Sequence, residues 1–374
     1  MIRRTYRPPP SVPTSPGSQK ADGPAGVRWN RHARVPDVDL YRRRRYGNCR
    51  KPTRSPGNLL EHCAVPGYAP CSRTNAVGNE GDQQGGQARV VTRFFPVSAA
   101  LRPYASTIYS LEVDAPPGVR VEDHLHPEWA NLRFIDGEAP LAAIGDAVPV
   151  PVPPFVVAGP TSHATRFAAG AMRAWGIGIL PMGWARLFAV PAEELADRFC
   201  DGRRHPAFAA IAPLADALAG IDDFAAAARL IDKHFAALLY ETPEDDGAVL
   251  AAYRALVDDE WVSVAELAAA LDLSVRSVER LCHRAFGFAP KLLLRRQRFL
   301  RSLARFILDP SMAWVDALDH RYYDQSQFTH DFHRFMGMSP RAYAALPKPI
   351  LAAAARARAA AAGEAVQGLH KPGA

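Results

Sequence analysis

The chain has 374 residues, 48% of them hydrophobic and 22% charged, with a formal net charge of +7. This size and balance exclude a small disulfide-stapled domain and a wholly unstructured chain, and they fit two globular domains with an appendage. No apolar run reaches the roughly 18 residues of a membrane span, and no apolar stretch follows the arginine-rich start as it would in a secretory signal. A cytoplasmic protein with no membrane partner is expected. The five cysteines (Cys49, Cys63, Cys71, Cys200, Cys282) form no C-x-x-C pair, so free thiols are expected rather than a zinc knuckle or a redox motif.

Charge is distributed unevenly, with a net +10 over residues 1–89, −10 over 90–260, +4 over 261–346 and +3 beyond. An acidic middle is a poor surface for nucleic acid; the basic carboxy-terminal module is a better one. Residues 1–89 hold much of the proline and glycine and the run Arg42 to Arg45, without sustained periodicity, and read as a disordered basic extension. From Val90 the runs RVVTRFF, STIYSLEV, ANLRFI and VPPFVV, broken by Pro and Gly, predict several short strands and hence a β-rich domain over 90–195. Helical spacing follows, as in Phe224, Ala228, Ile231 and Phe235, so 196–257 reads as a helical linker, with a turn at ETPEDDG (241–247).

Residues 258–346 carry the strongest pattern. Ala265, Leu267, Ala268 and Leu271 form one apolar stripe and Val278, Leu281, Cys282 and Phe286 a second, separated by a turn at Asp272 to Ser274. Ser274 is placed to cap the second helix, which makes a helix-turn-helix. That helix would present Arg276, Ser277, Glu279, Arg280, His283 and Arg284 outward, groups suited to guanine edges, cytosine amino groups and phosphates. The arrangement recurs: Trp314, Val315 and Leu318 begin a stripe, a turn falls at Arg321 to Tyr323, and Asp324 with Gln327 forms a capping box. The helix so opened buries Phe328, Phe332 and Phe335 and turns Gln325, Ser326, Gln327, Thr329, His330 and Arg334 outward. Gln suits adenine, and Arg334 a phosphate. Lys291 to Leu308 reads as a helix of about 27 Å joining the two motifs, a spacer that suits the roughly 34 Å repeat of the major groove.

The doublet, its connecting helix and the run YYDQSQFTHDFHRFMGMSPRAY resemble the AraC/XylS class of bacterial transcription factors. The resemblance implies double-stranded DNA as partner. It leaves room for RNA polymerase, a small-molecule effector and a second copy of the chain. The sequence has no nucleophile elbow, phosphate loop or acid-base pair, so neither catalysis nor a cofactor is expected. One departure stands out: where the family has Gly in the turn of the second motif this chain has Arg321, and a left-handed non-glycine costs about 1 kcal/mol. An altered second turn is therefore expected.

In the β-rich region His124 and His126 share a strand face, as metal ligands do in cupin barrels. The carboxylate that pattern wants four or five residues on is replaced by Ala130 and Asn131, and His163 would be only a remote ligand, so no metal is assigned. The run from Pro160 to Phe188 resembles the sensor domain attached to a subgroup of these regulators, which implies a cupin-like barrel. Trp129, Arg133, Phe155, Trp175 and Trp184 are candidates either for its pocket or for ordinary core. The expected fold class is thus α+β: a β-rich cupin-like domain, a helical linker, an all-α domain with two helix-turn-helix motifs joined by a long helix, and a flexible tail over 347–374. The competing readings are a metal-dependent cupin-type enzyme with a DNA-binding appendage and a protein-binding scaffold.

Overall fold

The computed structural model describes residues 77–80, 88–241, 247–258 and 263–371. The expectation of disorder over 1–89 lies largely outside these, as does the turn at 242–246; residues 77–80 are a strand. The described residues form one compact unit.

A seven-stranded sheet runs β1 (Val77–Glu80), β2 (Arg89–Phe95), β3 (Ala105–Asp114), β10 (Met172–Ile179), β5 (Ala130–Gly137), β8 (Phe155–Ala158) and β11 (Phe199–Asp201). A four-stranded sheet runs β4 (Val121–Leu125), β9 (Thr165–Ala169), β6 (Leu141–Ile144) and β7 (Val150–Pro151). Every pairing is antiparallel. The four quoted β-favouring runs become β2, β3, β5 and β8, as their β-branched and aromatic residues predict.

The strand period of two gives the large sheet two different faces. Phe95, Ile108, Leu132, Phe134, Phe155, Val157 and Ile177 form a core with α1 (Pro181–Leu187), α2 (Ala212–Leu218) and α3 (Phe224–Glu241), through Trp184, Leu214, Ile231 and Phe235. The alternate residues, among them Thr92, Phe94, Tyr109, Leu111, Arg133 and Ile135, line a cavity shared with Leu125, Thr165 and Phe167 of the small sheet. Gly176 makes room for one of them: a Cβ there would lie 2.2 Å from Tyr109 Cζ on the neighbouring strand.

After α4 (Gly247–Val257) come the helices of the carboxy-terminal part: α5 (Val264–Ala270), α6 (Val275–Phe286), α7 (Pro290–Leu308), α8 (Trp314–Ala317), α9 (Gln325–Met336) and α10 (Pro340–Ala345). The expected flexible tail is replaced by a further helix, α11 (Leu351–Ala362), followed by a buried run from Ala365 to His370. The Asp123 carboxylate in β4 accepts the amides of Ile350 and Leu351, 2.8 Å each, and so caps the first turn of α11. Gly363, at φ 77°, ends that helix, and the chain beyond it is held by Gln367 Nε2 to the Ala130 carbonyl and by Gln297 Nε2 to the Gly368 carbonyl. An Ala-rich sequence shows no broad apolar stripe and so carries no signal for a packed helix; its small side chains let the backbone lie close to the sheet.

The β-rich and helical parts meet through buried polar contacts. Arg296 of α7 is fully buried, donates from Nη1 to the Thr161 carbonyl at 2.9 Å and lies 3.8 Å from the centre of the Trp129 ring. His126 hydrogen-bonds Tyr343 at 2.9 Å, and Ala164 N donates to the Phe335 carbonyl at 2.7 Å. Arg296→Ala removes both volume and donor and is expected to cost about 3 kcal/mol in urea unfolding. Arg296→Met, which refills the volume but leaves the Thr161 carbonyl unpaired, should recover about half of that; equal losses would mean that packing plays no part.

Burial, reinforced by the neighbouring cations Arg358 and Lys348, pushes His126 down to about 3. The unfolded chain, with an ordinary histidine value near 6.5, takes up the proton first as pH falls. The stability contributed by neutral His126 is therefore complete above about pH 6.5 and lost progressively toward 3. His370, pushed down to about 4 mainly by burial, acts in the same direction, whereas Asp123, raised by burial, acts in the opposite one. Melting temperature is expected to fall from pH 7 to pH 4.5, with a shallower fall in His126→Gln; parallel profiles would rule out this assignment.

Candidate DNA-binding surface

The first motif is built from local capping. Ser263 and Glu266 form a reciprocal capping box at the start of α5, a signal absent from the sequence reading. Ser274 Oγ accepts the Ser277 amide at 3.1 Å, the cap expected for α6. Between the two helices Asp272 sits at φ 52°, a left-handed conformation that Asp tolerates better than most residues. Leu267 and Ala268 of α5 and Val278, Leu281, Cys282, Ala285 and Phe286 of α6 enter a core with Trp129, Tyr253 and Leu293. Ala265, expected in that stripe, is exposed. Burial pushes the Cys282 thiol up to about 12, in keeping with a packing role; Cys200 is also a free thiol.

On the opposite face of α6, Arg276, Glu279, Arg280 and Arg284 are exposed. The other two expected contacts are partly engaged: Ser277 Oγ lies 2.9 Å from Ser274 Oγ, and His283 Nδ1 lies 2.9 Å from a carboxylate oxygen of Glu193 in the short turn 192–194. Gly287, at φ 83°, ends the helix.

The second motif uses a different device at its turn. Among the described residues only Asp197 and Asp272 are non-glycines with positive φ, so Arg321 carries none of the left-handed strain expected of it. Instead the buried Asp319 carboxylate accepts the Arg321 amide at 3.0 Å and Arg301 Nε at 2.6 Å, and its own amide donates to Ser302 Oγ at 2.8 Å. Burial alone would raise this carboxyl; the Arg301 hydrogen bond and charge outweigh it and hold Asp319 below the usual range. A side chain closes the turn where the family uses glycine.

Asp324 Oδ1 accepts the Gln327 amide at 2.8 Å, while Gln327 Oε1 reaches back to the Tyr323 amide at 3.2 Å, one residue before the position expected for a capping box. Phe328, Phe332 and Phe335 are buried; Gln325, Ser326, His330 and Arg334 are exposed. Gln327 and Thr329 are half-buried, and Thr329 Oγ1 donates to the Gln325 carbonyl at 2.9 Å. Val315, expected inward, is 62% exposed, and Ala317 takes the buried position in α8.

Asp331 locks α9 to α7. Its carboxylate is buried and accepts from Arg295, from Arg298 at 3.3 Å and from the Tyr322 hydroxyl at 3.1 Å. Asp331→Ala would leave two arginines and a phenol facing a vacated site. An expected loss of about 3 kcal/mol in urea unfolding checks this, and a loss under about 1 kcal/mol would contradict it.

The other residues singled out from the sequence are placed as follows. His124 and His126 do not converge on a third ligand, and among the described residues no group of three His, Cys, Asp or Glu is arranged to hold a metal ion. His163 Nδ1 accompanies Ser162 and Asp197. Trp129, Phe155, Trp175 and Trp184 are core, and only Arg133 of that group reaches the cavity. Among the described residues no helix is long and apolar enough to cross a membrane.

Two capped helix-turn-helix units in tandem, joined by the 19-residue α7, define a DNA-binding module of transcriptional regulators. Residues 267–345 match the family described as a helix-turn-helix domain, and this part of the chain is an AraC-type helix-turn-helix domain. No curated protein matches the chain by sequence. Among solved structures, ToxT from Vibrio cholerae superposes with a TM-score of 0.37 at 10% identity, covering 65% of this chain and 98% of that one. ToxT from Vibrio cholerae O395 bound to (E)-4-(8-methylnaphthalen-1-yl)but-3-enoic acid gives 0.36 at 10% identity, with 65% and 98% covered. The AraC-like transcriptional activator CuxR gives 0.17 at 15% identity, with 59% and 78% covered. None of these superpositions is close enough to bear on the chemistry.

Proposed function

We propose that this chain is a sequence-specific DNA-binding transcriptional regulator, not an enzyme, that reads two successive stretches of major groove and answers to a small-molecule effector. In this reading residues 90–195 sense the effector and serve pairing with a second copy, 196–257 link, and 258–346 read DNA. Contact with RNA polymerase belongs to the same reading. The observation that carries it is the pair of capped helices, α6 and α9, each with an apolar face buried and a polar face exposed. Arg276, Arg280 and Arg284 are assigned to guanine edges and phosphates, Glu279 to a cytosine amino group, Gln325 to adenine and Arg334 to a phosphate. Ser277, His283, Ser326, Gln327, Thr329 and His330 complete the assigned surface. The present partners of Ser277, His283, Gln327 and Thr329 make these four the weaker readers.

Selection of bound duplexes from a random library at moderate salt is expected to return a bipartite site. Arg280→Ala should weaken binding to that site by about 1–3 kcal/mol and relax one base position. Equal weakening on all sequences would make Arg280 a phosphate contact, and the absence of any selected motif would defeat the regulator reading.

A further inference from the structure

The cavity between the two sheets is lined mostly by aliphatic and aromatic carbon, but among the described residues that line it the cations outnumber the anions by one. Three charged side chains line it: Glu128, Arg133 and Arg358. Glu128 and Arg133 are mutual partners, Nη2 to Oε1 at 2.6 Å, and Arg133 Nε also donates to Tyr109 Oη at 2.8 Å. That pair cancels. His126 is neutral at physiological pH for the reason given above, and it is occupied by Tyr343.

Arg358 remains. It projects from α11 over the Phe94 ring, 5.1 Å from its centre, and its buried Nε has no hydrogen-bond partner among the described residues. Burial pulls its guanidinium below the ordinary arginine value, offset in part by the charge of Glu128. The same cavity is lined by a second idle donor: Thr92 Oγ1, buried and without a hydrogen-bond partner among the described residues. Thr92 and Phe94 are two apart on β2 and both line the cavity, so the hydroxyl and the guanidinium address one space. Buried donors left unpaired are uncommon and costly, and a cation in an apolar chamber more so.

We infer that the cavity is a binding site for a compact organic carboxylate, its apolar body lying among the sheet residues and its carboxylate on Arg358 and Thr92. One unmatched positive charge calls for one negative charge; a phosphate dianion would bring a second into apolar surroundings at high desolvation cost. The cavity volume of about 130 Å³ resembles that of an engineered apolar cavity of about 150 Å³ that takes up benzene, which points to a body of about one six-membered ring. The inference deepens the effector reading above and rests on it for its biological meaning. It also names the effector's handle, a side chain borne on the helix that follows the DNA-reading module rather than on the sensor strands.

The test is calorimetric titration of the full chain, without DNA, using cyclohexanecarboxylate, its uncharged analogue cyclohexanecarboxamide, and cyclohexylammonium. The carboxylate is expected to bind at least about tenfold more tightly than the amide, and the ammonium not at all. Arg358→Met should abolish the preference for the carboxylate while the melting temperature stays near that of the parent chain. Should that variant unfold, Ala354→Leu, which intrudes on the cavity from an exposed-edge position of α11, must block the carboxylate instead. Absence of carboxylate binding at millimolar concentration, equal binding of acid and amide, or unchanged preference in a folded Arg358→Met overturns the assignment. The library selection runs in parallel and separates the two claims. A selected DNA motif without carboxylate binding overturns the cavity site alone; carboxylate binding without a selected motif supports the site and removes the regulator reading.

Discussion

Arg296 is the constraint on which the arrangement of this molecule depends. It belongs to α7, the rod that joins the two helix-turn-helix units, yet its side chain is spent on the β-rich part, on the Trp129 ring and the Thr161 carbonyl. Burial pulls the guanidinium down to about 9, still protonated at neutral pH, and neither Nε nor Nη2 has a hydrogen-bond partner among the described residues. A buried cation so sparsely paired stabilises through its packing and its carbonyl contact more than through its charge, and it fixes register, because any sliding of α7 along the β-rich part would strip it of the partners it has. Trp129 in turn packs edge-on against Tyr253 and Phe286, so one ring, just ahead of β5, meets both α4 and the end of α6. The first reading helix is therefore positioned by the β-rich part as much as by its own motif.

The two motifs reach similar geometry by different local chemistry. In the first, the turn is made by backbone: Asp272 accepts a left-handed conformation and Ser274 then caps α6. In the second it is made by a side chain: Asp319 gathers the Arg321 amide and the Arg301 guanidinium, and no residue there needs positive φ. The carboxylate costs desolvation but ties the turn to α7, which a glycine could not do. The second unit is thus less independent than the first, because its turn, its α9 and its rod share the carboxylates of Asp319 and Asp331.

The paired motifs were legible because each rests on short-range signals: a 3.6-residue apolar period and capping side chains three residues from their amides. The strands were legible from β-branched runs. What escaped was long-range. Arg296 and Arg358 look in sequence like any helix-borne arginine, and nothing local announces that one lies on Trp129 and the other inside a sandwich. The Arg321 position misled for a related reason: the partner that relieves its turn, Asp319, acts through a carboxylate whose other ligand lies 18 residues back on α7. The tail misled because alanine gives the same bland pattern whether a helix frays in water or lies close on a sheet. His126, read with His124 as one face of a strand, stands just beyond the end of β4 and turns to Tyr343, 217 residues away in the chain.

This tertiary assignment changes what the basic composition of the DNA-reading part means. Arg295 and Arg298 are committed to Asp331, Arg301 to Asp319, and Arg296 to the interior, so four of the rod's six cations are engaged within the protein while Lys291 and Arg305 stay exposed. The exposed cations that remain on the reading helices are Arg276, Arg280 and Arg284 on α6 and Arg334 on α9. Electrostatic attraction to a duplex scales with phosphates neutralised, not with net charge. Three of those four lie on the first helix, so the proposed function assigns most of the salt-dependent affinity to the first motif. The proposal leaves the second, whose exposed Gln325 and Ser326 stand at the start of α9, to discriminate between bases by hydrogen bonds. That proposed division rests on two buried carboxylates of the second unit, Asp319 and Asp331, which engage Arg301, Arg295 and Arg298 of the rod.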